Sequence, residues 1–141
     1  MNIKPCSPRL YLSLSEIWER SVRATHNFLS EEDIIQIRTS LIPLYFPAVD
    51  LYGCWDNDIL TGFIGLSGNK IEMLFVDSEH RAKGYGSALI DFAKTKGAVL
   101  VDVNEQNPSA CIFYQKKGFQ IIGRDETDEA GRPFPILHLS L

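Results

Sequence analysis

Two basic residues and two glycines, in the run Arg81-Ala82-Lys83-Gly84-Tyr85-Gly86, stand between the apolar stretch Met73-Leu74-Phe75-Val76 and a helical-looking segment from Ser87 to Lys96. A buried strand, a basic glycine-bearing loop and a helix N-terminus in that order form an anion site. Gly84 and Gly86 let the loop backbone approach a ligand with no Cβ in the way. The N–H groups of the first helical turn lack intrahelical partners and point into the loop, where the helix dipole favours negative charge. Arg81 and Lys83 add full positive charge. The guest that fits is a phosphate ester or a pyrophosphate.

Counting separates the loop from the commoner nucleotide sites. A Walker loop needs a lysine directly after its second glycine, and none is there. A dinucleotide fingerprint G-x-G-x-x-G would need glycine at position 89, which is Leu89. The spacing R-x-x-G-x-G points instead to coenzyme A. A strand-to-helix turn that is merely basic would also explain this motif taken alone. A second block changes that balance: Asn107-Pro108-Ser109-Ala110-Cys111-Ile112-Phe113-Tyr114-Gln115-Lys116-Lys117-Gly118-Phe119. Together the two blocks resemble the GNAT superfamily of acyl-CoA-dependent N-acetyltransferases, at motif level from about Ile59 to Phe119. Ile17-Trp18-x-x-Ser21 and Thr25-His26-x-Phe28-Leu29 resemble the small stand-alone bacterial members of the YjaB type.

The resemblance implies acetyl transfer from acetyl-CoA to a primary amine, directly, within a ternary complex. Arg81, Ala82, Lys83, Gly84, Tyr85, Gly86 and Ser87 then hold the cofactor phosphates. The pantetheine arm pairs with Leu74, Phe75 and Val76, where that strand splays from its parallel neighbour, and an N–H near Phe75 polarises the thioester. Asn107 and Tyr114 are seven residues apart, two helical turns, so they share a face. By resemblance Asn107 is a cofactor-arm ligand and Tyr114 the proton donor to the departing thiolate. Read without it, Asn107 is a helix N-cap and Tyr114 a core aromatic. Phe113 is expected to face elsewhere, into the core.

A general base is harder to place. Glu72 lies in the strand approaching the loop, where some family members keep a carboxylate, but a plain ion pair with Lys70 on the same strand face suits it equally. Asp102 interrupts an apolar strand, and simple alternation with Val101 and Val103 also accounts for it. Water relays remain open. Trp18, His26, Phe28 and Leu29 are acceptor-pocket candidates by the same resemblance, though an apolar cluster on helices equally describes a core. His26, His80 and His138 show no metal spacing. His80 is expected at the loop edge. Asp77-Ser78 replaces the frequent Asp-Pro after the strand, which should loosen that turn. The rival in another class is a coenzyme A sensor with a silent site. The acceptor amine is unspecified: a protein lysine, an N-terminal amine, a polyamine, an amino acid and an antibiotic all fit.

The elements that must position these groups follow from local patterns. Ser13-Leu14-Ser15-Glu16 reads as a capping box opening a helix to about Ala24. Ser30 with Glu31, Glu32 and Asp33 opens a second, ended by Pro43 and Pro47. Strands are expected at Val49–Trp55, Ile59–Ser67 and Lys70–Val76, joined by short turns. A helix from about Gly86 to Lys96 and the apolar strand Ala98–Val103 complete a crossover, which makes that strand parallel to Lys70–Val76. Asn107 and Pro108 open the next helix, Gly118 closes it, and Phe119–Arg124 pairs with Pro133–Leu139. The expected fold is a single α/β domain over residues 1–141. Its sheet is mixed and mainly antiparallel, with helices on both faces and a splayed parallel strand pair at the cofactor site.

Composition sets outer limits. The chain has 141 residues, 45% hydrophobic and 23% charged, as soluble globular domains do. No apolar run reaches the ~20 residues of a membrane span, and the N-terminus lacks a signal-peptide core. Three cysteines without a C-x-x-C pair read as reduced thiols, so a cytoplasmic protein is expected. A net charge of −4 argues against nucleic-acid binding and permits a cationic acceptor. Monomer and homodimer are both compatible with it.

Overall fold

Two-residue turns with left-handed backbone set the first half of the sheet. In a computed structural model describing residues 1–141, the chain runs β1 (Asn2–Pro5), α1 (Tyr11–Thr25), α2 (Glu31–Ser40), β2 (Asp50–Asp56), β3 (Ile59–Ser67) and β4 (Lys70–Val76). It continues with α3 (Tyr85–Thr95), β5 (Leu100–Asn104), α4 (Pro108–Lys116), β6 (Gln120–Asp125) and β7 (Ile136–Ser140). Asn57 and Asp58 take φ of 50° and 67°, the mirror-image turn that suits right-twisted strands, and so close the β2–β3 hairpin. The strand order is β1-β2-β3-β4-β5-β7-β6, and β4–β5 is its one parallel pair. This is the mixed, mainly antiparallel sheet expected.

Each face of the sheet carries its own core. Leu89, Ile90 and Ala93 of α3 and Tyr114 of α4 pack on Ile64, Ile71, Val101 and Leu139. On the other face Leu14, Ile17, Trp18 and Val22 of α1 meet Phe63, Leu51 and Phe46. Burying side chains of this size stabilises by about 1.5–3 kcal/mol each.

Three local expectations are corrected. Ser13 does not cap α1: a 3-10 turn at Pro8–Leu10 leads straight into the helix, which begins at Tyr11, so Ser13 is already inside its first turn. Proline at the start of that upstream turn, where no N–H is needed, decides the boundary. Pro43 does not stop the winding either. α2 passes into a wider π turn, Leu41–Tyr45, which contains Pro43 and closes with Phe46 N–H donating to the Leu41 carbonyl. Asp77-Ser78 is not a loose turn. The Asp77 carboxylate accepts from the Glu79 N–H and caps a 3-10 turn, Ser78–His80. Ser30 does cap α2, in a reciprocal box with Asp33. The cysteines are free thiols, and no helix is long and apolar enough to cross a membrane.

Candidate active site

The parallel strands part almost as soon as they meet. β4 and β5 pair only at Lys70 with Leu100 and Ile71 with Val101, although both strands run on. From Glu72 to Val76 the edge of β4 toward β5 is therefore unpaired. A cavity of about 460 Å³ fills the fork, walled by Glu72 to Val76 on one side and Val101 to Asn104 on the other. This is the splay expected beside the cofactor loop.

Glu72 stands at an irregularity that local pattern could not show. Across the β3–β4 ladder Leu66 faces Ile71 while the adjacent Gly65 faces Met73, so Glu72 is the extra residue of a β-bulge. Ile71 consequently packs toward α3 and Met73 toward α1, where regular alternation would have put them on one face. The bulge also separates Glu72 from Lys70, and the ion pair considered for them does not form. Lys70 Nζ instead donates to Asp102 at 2.8 Å. Asp102 also receives His138 Nδ1 at 2.7 Å. Burial alone would raise the Asp102 carboxyl, but these two partners outweigh it and hold it below the usual carboxylate range.

The basic loop has the backbone of an anion cradle. Ala82 and Gly84 take positive φ, 61° and 85°. The backbone N–H groups from Arg81 to Ser87, seven in a row, donate to no acceptor in the chain. Such a row beside a helix N-terminus, with Arg81 and Lys83 exposed and unpaired, is built for phosphate oxygens. The Tyr85 hydroxyl donates to Asp56 at 2.7 Å and ties the helix start to the β2–β3 hairpin. Ser87 Oγ accepts from Lys117 Nζ at 2.9 Å, and that ammonium also meets Asp91 at 2.6 Å. Lys117 was not foreseen as a neighbour of the loop, although it lies in the second motif block.

α4 brings the other groups to the fork. Asn107 is its N-cap, accepting from the Ala110 N–H at 3.4 Å, and it also lines the cleft. Tyr114 is only 7% exposed. Nothing in the chain bonds its hydroxyl, yet no buried polar side-chain atom lacks a partner, so the phenol oxygen opens onto the cleft. Burial pushes that phenol above its ordinary range and keeps it protonated. Phe113 packs against the core, as expected, and lines the cleft as well. Phe113 and Tyr114 stand three and four residues after Ala110, on one helix face.

The four N-terminal candidates divide. His26 lines the cleft, with Ser21 and Thr25 of α1. Phe28 does not line it but packs on the His26 ring at 5.3 Å between centroids. Leu29 packs against the α1 core. Trp18 is 3% exposed in that core and walls a second cavity of about 380 Å³, shared at Glu72, Met73 and Phe75 with the first. His80 sits at the mouth of the loop, as expected.

Comparison with known proteins agrees with this arrangement. Residues 47–121 match the family model described as acetyltransferase (GNAT) domain. The peptidyl-lysine N-acetyltransferase YjaB of Salmonella typhimurium is 40% identical over 128 residues, 89% of this chain and 88% of that one. Its Escherichia coli counterpart is 40% identical over 129 residues, 90% and 87% of the two chains. The solution structure of apo-form YjaB from Escherichia coli superimposes with a TM-score of 0.90 at 36% identity, covering 99% of this chain and 95% of that one. A splayed β4–β5 fork, a row of free N–H groups and this likeness over nearly the whole length lead to one conclusion: the chain belongs to the GNAT family of acetyltransferases.

Proposed function

We propose that the protein is a peptidyl-lysine N-acetyltransferase, passing the acetyl group of acetyl-CoA to a lysine side chain by direct transfer. The observation that carries this reading is the meeting of two cavities along β4. The second has apolar walls, Trp18, Ile37, Leu41 and Val49, with the carboxylates of Glu72 and Glu129 at its lining. Apolar walls suit the four-methylene stem of lysine, and carboxylates suit its ammonium head. Relatives 40% identical carry the same activity in their names.

Acetyl-CoA, when bound, supplies an acetyl group already activated as a thioester. The chain's own part is to hold, orient and move protons. The free N–H groups of Arg81 to Ser87 fit the cofactor's phosphates. The unpaired edge at Leu74, Phe75 and Val76 offers backbone partners to an amide-bearing arm, with Asn107 across the fork. Tyr114 holds a proton at its phenol oxygen, facing the cleft, for the leaving sulfur. Glu72, exposed at the bulge between the cavities, draws the incoming ammonium. The open phenol of Tyr114 speaks against a silent coenzyme A sensor. The test is to incubate the protein with acetyl-CoA and a mixture of lysine peptides and small amines, and to locate acetyl groups by mass spectrometry. Acetyl-lysine in the peptides supports the reading. Acetylation of small amines alone overturns it.

A further inference from the structure

We infer that His26 takes the proton of the acceptor amine, and that Thr25 and the Ser21 carbonyl hold its ring in the tautomer able to do so. The inference rests on the acetyl-transfer reading of the cleft and names a base other than the strand carboxylates Glu72 and Asp102.

The tautomer follows from counting protons. Thr25 Oγ1 donates to the Ser21 carbonyl at 2.8 Å, and a hydroxyl has one proton to give. The same oxygen lies 2.7 Å from His26 Nδ1, so in that contact it accepts and Nδ1 carries the hydrogen. In the neutral ring Nε2 is then a bare lone pair, and no group of the chain bonds it.

Position and environment agree with the role. His26 is the C-cap of α1 (φ −106°, ψ 66°), and its ring borders the cleft that Phe75 and Tyr114 also line. Phe28 packs on one side of it at 5.3 Å and is itself backed by Phe134 at 5.5 Å. Burial lowers its pKa and keeps the ring neutral near pH 7, ready to accept. The carbonyl end of α1 then favours the imidazolium formed by proton transfer. The other titratable groups bordering this cleft are Glu72 of β4, Asp102 of β5, His80 and Arg81 of the loop, Tyr85 of α3 and Tyr114 of α4. Asp102 is engaged by Lys70 and His138 and Tyr85 by Asp56, while Glu72 lies exposed on the bulge.

The step balances. The ammonium group of the acceptor gives one proton to His26 Nε2, which passes it to solvent. The freed nitrogen pair forms the C–N bond as the C–S bond breaks. The sulfur takes the Tyr114 proton, and the second proton released by nitrogen restores the phenol.

Two measurements test the assignment. Nitrogen–proton NMR of the imidazoles in the protein alone should show neutral His26 protonated at Nδ1, and Thr25→Val should shift that population. An Nε2–H ring overturns the assignment. In turnover, His26→Gln should lower kcat by roughly 10²-fold and move the acid limb of the kcat/KM profile up toward the amine's own value of ~10.4, with acetyl-CoA KM unchanged. His26→Ala should regain activity with added imidazole, which a packing role would not produce. An active wild type whose His26→Gln variant keeps the acid limb in the wild-type position overturns this assignment alone. A wild type that acetylates no amine overturns the acetyl-transfer reading as well.

Discussion

Arg20 on α1 grips Asp77 at the end of β4 through two hydrogen bonds, Nε to Oδ1 at 2.9 Å and Nη2 to Oδ2 at 2.7 Å. Asp77 is 3% exposed, and its carboxylate also accepts the Glu79 N–H. One ion pair thus joins the helix that carries His26, the strand that forms the fork and the turn that leads into the anion loop. Burial would raise the Asp77 carboxyl, but Arg20 and the Glu79 N–H hold it below its usual range.

Removing Arg20 should therefore be costly. Arg20→Met leaves a buried carboxylate with only a backbone donor. Because Arg20 is itself partly exposed, the loss should fall below that of a fully buried pair, at about 2–3 kcal/mol. Denaturant unfolding should show a lower midpoint with unchanged slope. The sign with pH is fixed. A depressed carboxylate stabilises above its unfolded value of ~3.9 and stops doing so as pH falls through its folded value. The gap between variant and wild type should close in that acid range. A gap independent of pH would mean that Arg20 acts by packing instead.

The loop prediction separates charge from shape. A saturating ligand that binds only the folded state, at about 100 times its Kd, stabilises by about 2.7 kcal/mol, so acetyl-CoA should raise Tm. Gly84→Asp should abolish that rise. A Cβ at Gly84 meets nothing within 4 Å, so the substitution acts through its charge and the positive φ of 85°. Stabilisation by NAD or ATP in place of acetyl-CoA would overturn the coenzyme A reading.

What was legible in the sequence is what neighbours along the chain determine. Gly84, Gly86 and the following helix define the loop within a few residues. Asn107 and Tyr114 share a face by helical period alone. The fork was foreseen through resemblance. The bulge at Glu72 was not, because it exists only in the register of β4 against β3. Lys70 and His138 reach Asp102 across 32 and 36 residues, and Lys117 reaches Ser87 across 30. Such pairings are made by sheet order and helix packing, which no local period reports. The tautomer lock is different: Ser21, Thr25 and His26 lie within two turns of one helix, and the i, i+4 spacing of Ser21 and Thr25 was there to be read.

His138 predicts a pH effect of opposite sign to Asp77. Its ring lies between Asp102 at 2.7 Å and Asp125 at 2.8 Å, and those carboxylates, Asp102 first, raise its pKa. A raised histidine stabilises fully below its unfolded value of ~6.5 and loses that contribution as pH rises through its folded value. Wild-type Tm should therefore fall more between about pH 6 and about pH 9 than that of His138→Gln. Asp125 is 70% exposed, so the effect should be modest and should shrink with added salt. Parallel pH profiles for the two proteins would show that the ring is neutral between its acids.

Tyr114 carries the most direct test of the chemistry. A thiol has a reference pKa of ~8.5, so at pH 7 a departing thiolate gains from a proton without strictly needing one. Burial raises the Tyr114 phenol, which keeps its proton available at every working pH. Positioned acid catalysis is worth about 10²–10⁴-fold, and so good a leaving group places this case at the low end. Tyr114→Phe should then cut kcat by roughly 10²-fold. The ring contacts with Phe113 and Phe119, at 5.3 and 5.7 Å, do not involve the hydroxyl and should survive, so acetyl-CoA should still raise Tm. Full turnover in the variant would return Tyr114 to the core as a packing residue. Loss of both turnover and the Tm rise would mean that the hydroxyl holds the cofactor, and that the sulfur takes its proton from water.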